Sequence, residues 1–185
     1  MIEKLIKKIT SHLDRDKIPY MIIGGQAVLL YGTPRLTRDI DITLGIDTDK
    51  FLLIERLCKN LGLKILPKNP ESFAKETKVL PCEETQLKIR VDFIFSFTPY
   101  EEQAMKRTRK VLMNGYSVKF ASCEDVIIHK IFAGRAVDDE DVKNMLIKNK
   151  GSINLQYIKR WLSEFNKISG QKELLKRFNR LLLTI

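Results

Sequence analysis

The segment at residues 21–45, MIIGGQAVLLYGTPRLTRDIDITLG, constrains the fold more than any other part of this chain. The apolar run IPYMII at residues 18–23 predicts a short buried strand that stops at Gly24 and Gly25. The following letters, GQAVLLYG, predict a helix ended by Gly32. DIDITLGI then alternates polar and apolar residues, which predicts a second strand. A strand, a glycine turn, a helix and a strand therefore follow one another.

The second strand carries two aspartates on one face. Side chains alternate along a strand, so Asp39 and Asp41 project together while Ile40 and Ile42 point to the opposite side. Two carboxylates this close repel each other unless a cation neutralises them. Oxygen ligands suit Mg²⁺ or Mn²⁺, and Mg²⁺ in proteins usually shares its coordination sphere with substrate phosphates. The pair therefore predicts a divalent metal site, with a solvated strand end as the alternative.

The glycine pair predicts a place for phosphate. Without a Cβ, Gly24 and Gly25 let an anion approach the backbone, and the helix that follows presents free N–H groups at its start. A tight turn without a ligand is the alternative. Because the aspartates follow on the next strand, phosphate and metal are expected side by side.

A third carboxylate lies on a later strand. In LKIRVDFIFSF, Asp92 and Arg90 alternate with Ile89, Val91 and Phe93, so a buried apolar face leaves the two charged residues together. An aspartate in such a strand needs a partner. The metal held by the first two aspartates is one candidate partner, and an ion pair with Arg90 or Lys88 is the other.

The rest of the chain is predicted to be mixed to about residue 120 and helical after it. Alternating residues around Asn114-Gly115 predict a hairpin. Region 67–86 has prolines and mixed charge, and is expected to be a loop with a short strand near 78–80. We therefore predict a catalytic core at residues 1–120 and a C-terminal helical region at residues 121–185.

The positive charge is concentrated near the C-terminus. The chain has a net charge of +10. Residues 143–185 contain ten Lys or Arg and two Glu, which gives +8. Such a surface attracts nucleic acid, although a solvated helical face would have the same composition. The charge also argues against a cationic antibiotic as the molecule bound there. One predicted helix turns apolar residues inwards and basic residues outwards: Leu155, Ile158, Leu162 and Phe165 against Lys159, Arg160 and Lys167.

Cysteine usage and hydropathy bear on location. Cys58, Cys82 and Cys123 have no metal-ligand spacing, and an odd number argues against a disulfide framework. No apolar run approaches the roughly 20 residues that span a bilayer, and the charged first helix differs from a signal peptide. We expect a cytoplasmic protein with no membrane partner.

Gly24-Gly25, thirteen intervening residues, Asp39-Ile40-Asp41 and the later Asp92 together resemble the nucleotidyltransferase superfamily, whose fold is that of the DNA polymerase β palm. The resemblance implies a mixed β-sheet flanked by helices, with a C-terminal helical extension in this chain. It also implies that Asp39, Asp41 and Asp92 hold Mg²⁺ or Mn²⁺.

The segment EDVIIHKIFAGRAVDDEDV is similar to the AbiEii-like branch, which includes toxins of type IV toxin–antitoxin systems. In that branch a Lys and an Asp of this region contribute to the active site. The resemblance implies a catalytic role for Lys130 and, less directly, for Asp138 and Asp141. It also implies an antitoxin protein as a partner. An intrachain ion pair and a favourable charge at a helix start are the alternatives for these residues.

The chemistry implied is transfer of a nucleoside monophosphate from a nucleoside triphosphate such as ATP to an acceptor hydroxyl or phosphate, with release of pyrophosphate. Arg35 and Arg38 lie between the glycine turn and the aspartates and are expected to reach triphosphate oxygens. We expect RNA or tRNA as the acceptor, through the basic helices, with a protein or an antibiotic as alternatives. A non-catalytic toxin–antitoxin or nucleic-acid-binding module is the alternative to an enzyme.

Overall fold

A computed structural model describes residues 1–34, 36–96, 98–168 and 173–185. The chain divides into two compact units. The sheet unit comprises residues 1–26 and 36–121, and the helical unit comprises residues 27–35 and 122–185. The predicted class, α/β with a mixed sheet flanked by helices, is confirmed.

Among the described residues of the sheet unit, seven strands form one mixed sheet. They are β1 (Tyr20–Ile23), β2 (Asp39–Leu44), β3 (Lys64–Ile65), β4 (Val79–Glu84), β5 (Ile89–Phe95), β6 (Arg109–Met113) and β7 (Tyr116–Phe120). Their order is β3-β4-β5-β2-β1-β7-β6. The pairs β2–β5 and β1–β7 are parallel and the others are antiparallel. Strand β2 therefore lies next to β1, which precedes the glycine turn, and next to β5, which carries Asp92.

Both units contain helices. The sheet unit contains α1 (Ile2–Arg15), α3 (Phe51–Leu61), α4 (Pro70–Thr77) and α5 (Pro99–Lys106), and α2 (Gly24–Tyr31) follows β1 directly. The helical unit contains α6 (Cys123–Ala133), α7 (Ala136–Lys148), α8 (Leu155–Ile168) and α9 (Leu174–Leu182). Within the described part of the chain, no helix is long and apolar enough to cross a membrane.

One face of the sheet is apolar and covered by helices. Ile40 and Ile42 of β2 and Val91 and Phe93 of β5 point to this face and are fully buried. On the same face the thiol of Cys58 on α3 lies 3.6 Å, sulfur to sulfur, from that of Cys82 on β4. The opposite face carries the charged residues of β2 and β5. The core therefore fixes which side of the sheet the aspartates occupy.

A polar cluster holds the end of α1 against the covered face. The carboxylate of Asp14 accepts hydrogen bonds from Tyr116 Oη at 2.6 Å, Lys119 Nζ at 2.6 Å and Tyr20 Oη at 3.3 Å. Lys119 Nζ also lies 4.9 Å from the centre of the Tyr20 ring. Burial alone would raise the pKa of Asp14, but the hydrogen bonds from Lys119 and Tyr116 outweigh burial and lower this pKa. The ionised carboxylate is therefore the form that stabilises the fold.

Region 67–86 corrects a prediction. In place of a loop it holds helix α4 and the six-residue strand β4. Pro70 occupies the first turn of α4, where a missing N–H costs nothing. Pro81 lies inside β4, and its carbonyl still accepts a hydrogen bond from Leu66 N at 3.0 Å. The predicted hairpin is present, since Asn114 and Gly115 both have positive φ between β6 and β7.

We predict that Asp14→Asn lowers the free energy of unfolding by about 1–3 kcal/mol at pH 7, because charge-assisted hydrogen bonds are removed. A lowered pKa means that the wild-type contribution is present above pH 4 and disappears as the pH falls through the folded-state pKa. Urea unfolding at pH 7 and pH 3 measures both effects. Asp16→Asn, which removes only an exposed pair with Arg15, is the control. Equal destabilisation by both variants at pH 7 would show that the cluster adds no stability.

Candidate functional site

The glycine turn at the end of β1 lies directly against Asp41. Gly24 has a φ of +64°, a conformation that L side chains rarely adopt, and a Cβ at this position would overlap the Oδ2 atom of Asp41. Strand pairing explains the contact, because Ile23 is opposite Asp41 in the antiparallel β1–β2 register. The backbone at Gly24 and the carboxylate of Asp41 therefore form one surface.

The two ends of the connection between β1 and β2 are in contact with each other. A Cβ on Gly25 would lie 2.5 Å from the Oγ1 atom of Thr37, so the helix start and the segment entering β2 are in close contact. Gln26 Nε2 donates a hydrogen bond to the carbonyl of Asp39 at 3.3 Å. These contacts hold the start of α2 beside the start of β2.

The three aspartates share one face of two neighbouring parallel strands. Asp41 is opposite Asp92 and Asp39 is opposite Arg90 in the β2–β5 register, so all four side chains project from the same side. Asp39 is exposed, Asp41 is half-buried, and 18% of the Asp92 side chain is exposed. Like charges directly opposite each other on adjacent strands are destabilising. The arrangement therefore favours a cation on this face.

Arg90 is a cation that the chain itself provides on this face. Its Nε donates to both carboxylate oxygens of Asp92, at 2.9 and 3.0 Å. The hydrogen bond to Asp92 raises the pKa of the Arg90 guanidinium, and the charges of Asp39 and Asp41 act in the same direction. The guanidinium thus lies within the field of all three carboxylates. The ion pair between Asp92 and Arg90, one of the two alternatives for Asp92, is present.

The donor chemistry of this face suits a hard divalent cation. In the described ranges, no group of three or more His, Cys, Asp or Glu side chains is arranged to hold a metal ion. Three carboxylates on one face nevertheless supply the oxygen ligands that Mg²⁺ and Mn²⁺ prefer. Asp92 accepts hydrogen bonds from Arg90 on both oxygens, so a metal that binds Asp92 competes with this partner. The metal roles of Asp39, Asp41 and Asp92 remain predictions.

Lys130 belongs to a buried ion cluster in the helical unit. Its Nζ lies 2.8 Å from Asp138 Oδ1 and 2.8 Å from Asp141 Oδ2, and the three side chains are almost fully buried. Arg135 Nε also donates to Asp138 Oδ2 at 2.8 Å. Burial alone would raise the pKa of Asp138, but the hydrogen bonds from Arg135 and Lys130 outweigh it and hold this pKa at about 2. The intrachain ion pair, which was the alternative for Lys130, is therefore present, and the catalytic role of Lys130 stays a prediction.

Of the two arginines predicted to bind triphosphate, one has a described position. Arg38 is exposed and immediately precedes β2. Arg35 lies outside the described residues. The contact of either arginine with a triphosphate remains a prediction.

Comparison with known protein families assigns the chain to one of them. Residues 1–183 match the family described as "Nucleotidyltransferase of unknown function (DUF6036)". The chain belongs to this family. The prediction of a nucleotidyltransferase enzyme is thereby confirmed, whereas the AbiEii-like branch stays a prediction. No curated protein matches the chain.

Solved structures of similar fold include several nucleotidyltransferases. The antibiotic-resistance factor ANT(2'')-Ia has a TM-score of 0.63 and 18% identity, covering 92% of this chain and 94% of that one. An antigenic nucleotidyltransferase-like protein from Paracoccidioides brasiliensis has a TM-score of 0.55 and 19% identity, covering 95% and 92%. The lincosamide antibiotic adenylyltransferase LnuA, bound to lincomycin, has a TM-score of 0.53 and 18% identity, covering 74% and 91%. At these identities the likeness shows the fold.

Two features of the site were not foreseen from the sequence. Thr37 packs on Gly25, a contact that no spacing or composition signals. Arg90, considered only as an ion-pair partner of Asp92, also lies in the field of Asp39 and Asp41 because β5 pairs with β2. The two-residue spacing of Arg90 and Asp92 could have favoured Arg90 over Lys88, because Arg90 is the nearer of the two on the face of Asp92.

We predict that Lys130→Met lowers the free energy of unfolding by about 3–5 kcal/mol, because Asp138 and Asp141 would be deprived of the cation that compensates their burial. Lys150→Met, at an exposed position in the same unit, is the control and should change it by less than about 0.5 kcal/mol. Thermal and urea unfolding measure the difference. A Lys130→Met protein with wild-type stability but no transfer activity would contradict a structural role and favour a catalytic one.

Proposed function

We propose that this chain transfers a nucleoside monophosphate from a nucleoside triphosphate to an acceptor hydroxyl, using divalent metal held by Asp39, Asp41 and Asp92. The observation that carries the proposal is the position of Asp41, which lies against Gly24 on one side and opposite Asp92 on the other. A phosphate at the glycine turn and a cation at the carboxylates would be neighbours there. Family membership supports the reaction class.

In the proposed reaction, the residues of the site bind the triphosphate and the metal and offset negative charge. The acceptor oxygen forms a bond to the α-phosphorus as the bond from that phosphorus to the bridging oxygen breaks. Pyrophosphate leaves, and the proton of the acceptor hydroxyl passes to solvent. Bound Mg²⁺ or Mn²⁺ would neutralise charge on the attacking and leaving oxygens. The backbone at Gly24 and Gly25 and the start of α2 hold phosphate oxygens. Arg35 and Arg38 are the residues predicted from the sequence to bind the triphosphate, and Lys130 is a further candidate for a catalytic role.

We predict that Asp41→Asn abolishes transfer and leaves the fold intact, because the variant removes a charged ligand while keeping the shape of the side chain. The assay uses purified protein, labelled nucleoside triphosphates and Mg²⁺ or Mn²⁺, together with cellular RNA, cellular protein or antibiotics as acceptors. Circular dichroism checks the fold. Equal transfer rates for wild type and Asp41→Asn at saturating Mg²⁺ would exclude the metal role of Asp41.

RNA is the acceptor class that the surface of α8 favours. Ile158 and Leu162 are fully buried in the helical unit, whereas Lys159, Arg160 and Lys167 are exposed. The expected inward face is shorter than predicted: Leu155 at the helix start is 38% exposed, and Phe165 is half-buried. The exposed basic residues can bind phosphates without disturbing the packing of the helix.

We predict that the double variant Lys159→Glu, Arg160→Glu weakens RNA binding uniformly across sequences. Removing one phosphate contact should reduce the magnitude of the slope of log K against log salt by about 0.7–0.9. RNA affinity at several salt concentrations measures this slope. The control is the double variant Lys64→Glu, Lys110→Glu. It changes the net charge by the same amount at exposed strand positions outside α8. A slope near zero in the wild type would exclude RNA as the acceptor.

A small-molecule acceptor is the second candidate. Two proteins of similar fold are linked to antibiotics: ANT(2'')-Ia is an antibiotic-resistance factor, and LnuA is a lincosamide antibiotic adenylyltransferase with bound lincomycin. An aminoglycoside or lincosamide that becomes labelled in the assay above would favour this acceptor over RNA. A labelled protein, or a bound antitoxin that blocks labelling, would favour the toxin–antitoxin role that the resemblance of segment 124–142 implies.

A further inference from the structure

Arg90 is positioned to do more than pair with one aspartate. It projects from the face that also carries Asp39, Asp41 and Asp92, and these four side chains have a formal net charge of −2. Its positive charge acts on all three predicted metal ligands. Removing Arg90 would therefore change the charge of the site while leaving every predicted ligand in place.

The hydrogen bonds of Arg90 leave part of the guanidinium available. Nε alone serves both oxygens of Asp92, at 2.9 and 3.0 Å. Among the described residues, none accepts a hydrogen bond from the two terminal nitrogens. The side chain is 54% exposed, so it can move without disturbing the core. A cation that binds Asp92 competes with Nε for the same oxygens.

We propose that Arg90 is a resident counter-ion on the face of the three aspartates, and that a divalent cation binds by displacing its guanidinium from Asp92. The proposal rests on the proposed function, because it assumes that the aspartates hold the metal. Without metal, the guanidinium of Arg90 reduces the repulsion between the facing carboxylates of Asp41 and Asp92. With metal, the guanidinium leaves Asp92 and can donate its hydrogen bonds to the triphosphate. Arg90 is thus a positioning residue that sets how tightly the site binds metal.

Direct binding of Mn²⁺ tests the proposal without any assay of activity. Free Mn²⁺ is measured by electron paramagnetic resonance in titrations of wild type, Arg90→Gln, Arg90→Lys and Lys110→Gln. Lys110 is exposed on β6, separated from β5 by three strands, and its replacement changes the net charge as Arg90→Gln does. The rise in melting temperature caused by Mn²⁺ gives a second readout, since a ligand that binds the folded state stabilises it.

Arg90→Gln should bind Mn²⁺ about tenfold more tightly than wild type, because one competing positive charge is gone. Arg90→Lys, which keeps the charge, and Lys110→Gln should each stay within about threefold of wild type. Arg90→Gln should also show the larger Mn²⁺-induced rise in melting temperature. If Arg90→Gln does not fold, Arg90→Met, which also removes the positive charge, replaces it in the Mn²⁺ titration.

Two results would overturn the proposal. If Arg90→Gln and Lys110→Gln bind Mn²⁺ with equal affinity, Arg90 does not compete with the metal. Weaker binding by Arg90→Gln would show that Arg90 orients Asp92 as a ligand. Asp41→Asn separates this proposal from the proposed function: if it leaves Mn²⁺ binding unchanged, the aspartates are not the metal site and the proposed function fails first.

Discussion

The repulsion between Asp41 and Asp92 is the constraint on which the site depends. The β2–β5 register places these carboxylates opposite each other, and the apolar residues on the other face prevent either strand from turning them away. A one-residue slip of β2 would expose Ile40 and Ile42 and bury the aspartates, at a cost far above that of the repulsion. The core therefore enforces an unfavourable charge arrangement, and a cation, Arg90 or a metal, relieves it.

The chain contains a second cluster of charged residues, whose members are paired and mostly buried. Lys130 and Arg135 balance Asp138 and Asp141, and the lysine and both aspartates are almost fully buried, so this cluster is neutral in itself. Buried charges are stable only when they are paired in this way. On the sheet face, Arg90 pairs with Asp92, and both Arg90 and Asp39 are exposed to solvent. Burial thus distinguishes the ion cluster of the helical unit from the carboxylate face of the sheet, which an ion from solvent can reach.

Local patterns in the sequence predicted most of what surrounds the aspartates. Alternation assigned Asp39, Asp41 and Asp92 to polar faces, and the glycine pair marked the turn. The pairing of β2 with β5 could not be predicted, because the two strands are about fifty residues apart and parallel pairing leaves no local signal. The sequence did not predict helix α4 because the prolines of region 67–86 favour a loop, although Pro70 merely starts the helix.

The spacing between the glycines and the aspartates is explained by contacts between the two ends of the β1–β2 connection. The chain leaves the sheet after Ile23, forms α2 and returns at Thr37, which touches Gly25, while Gln26 donates a hydrogen bond to the carbonyl of Asp39. These contacts fix the start of the helix against the start of the strand, whatever the intervening residues do. A side chain at position 24 would push Asp41 away and open this junction. Gly24 is therefore required by the carboxylate itself, in addition to any phosphate that the turn binds.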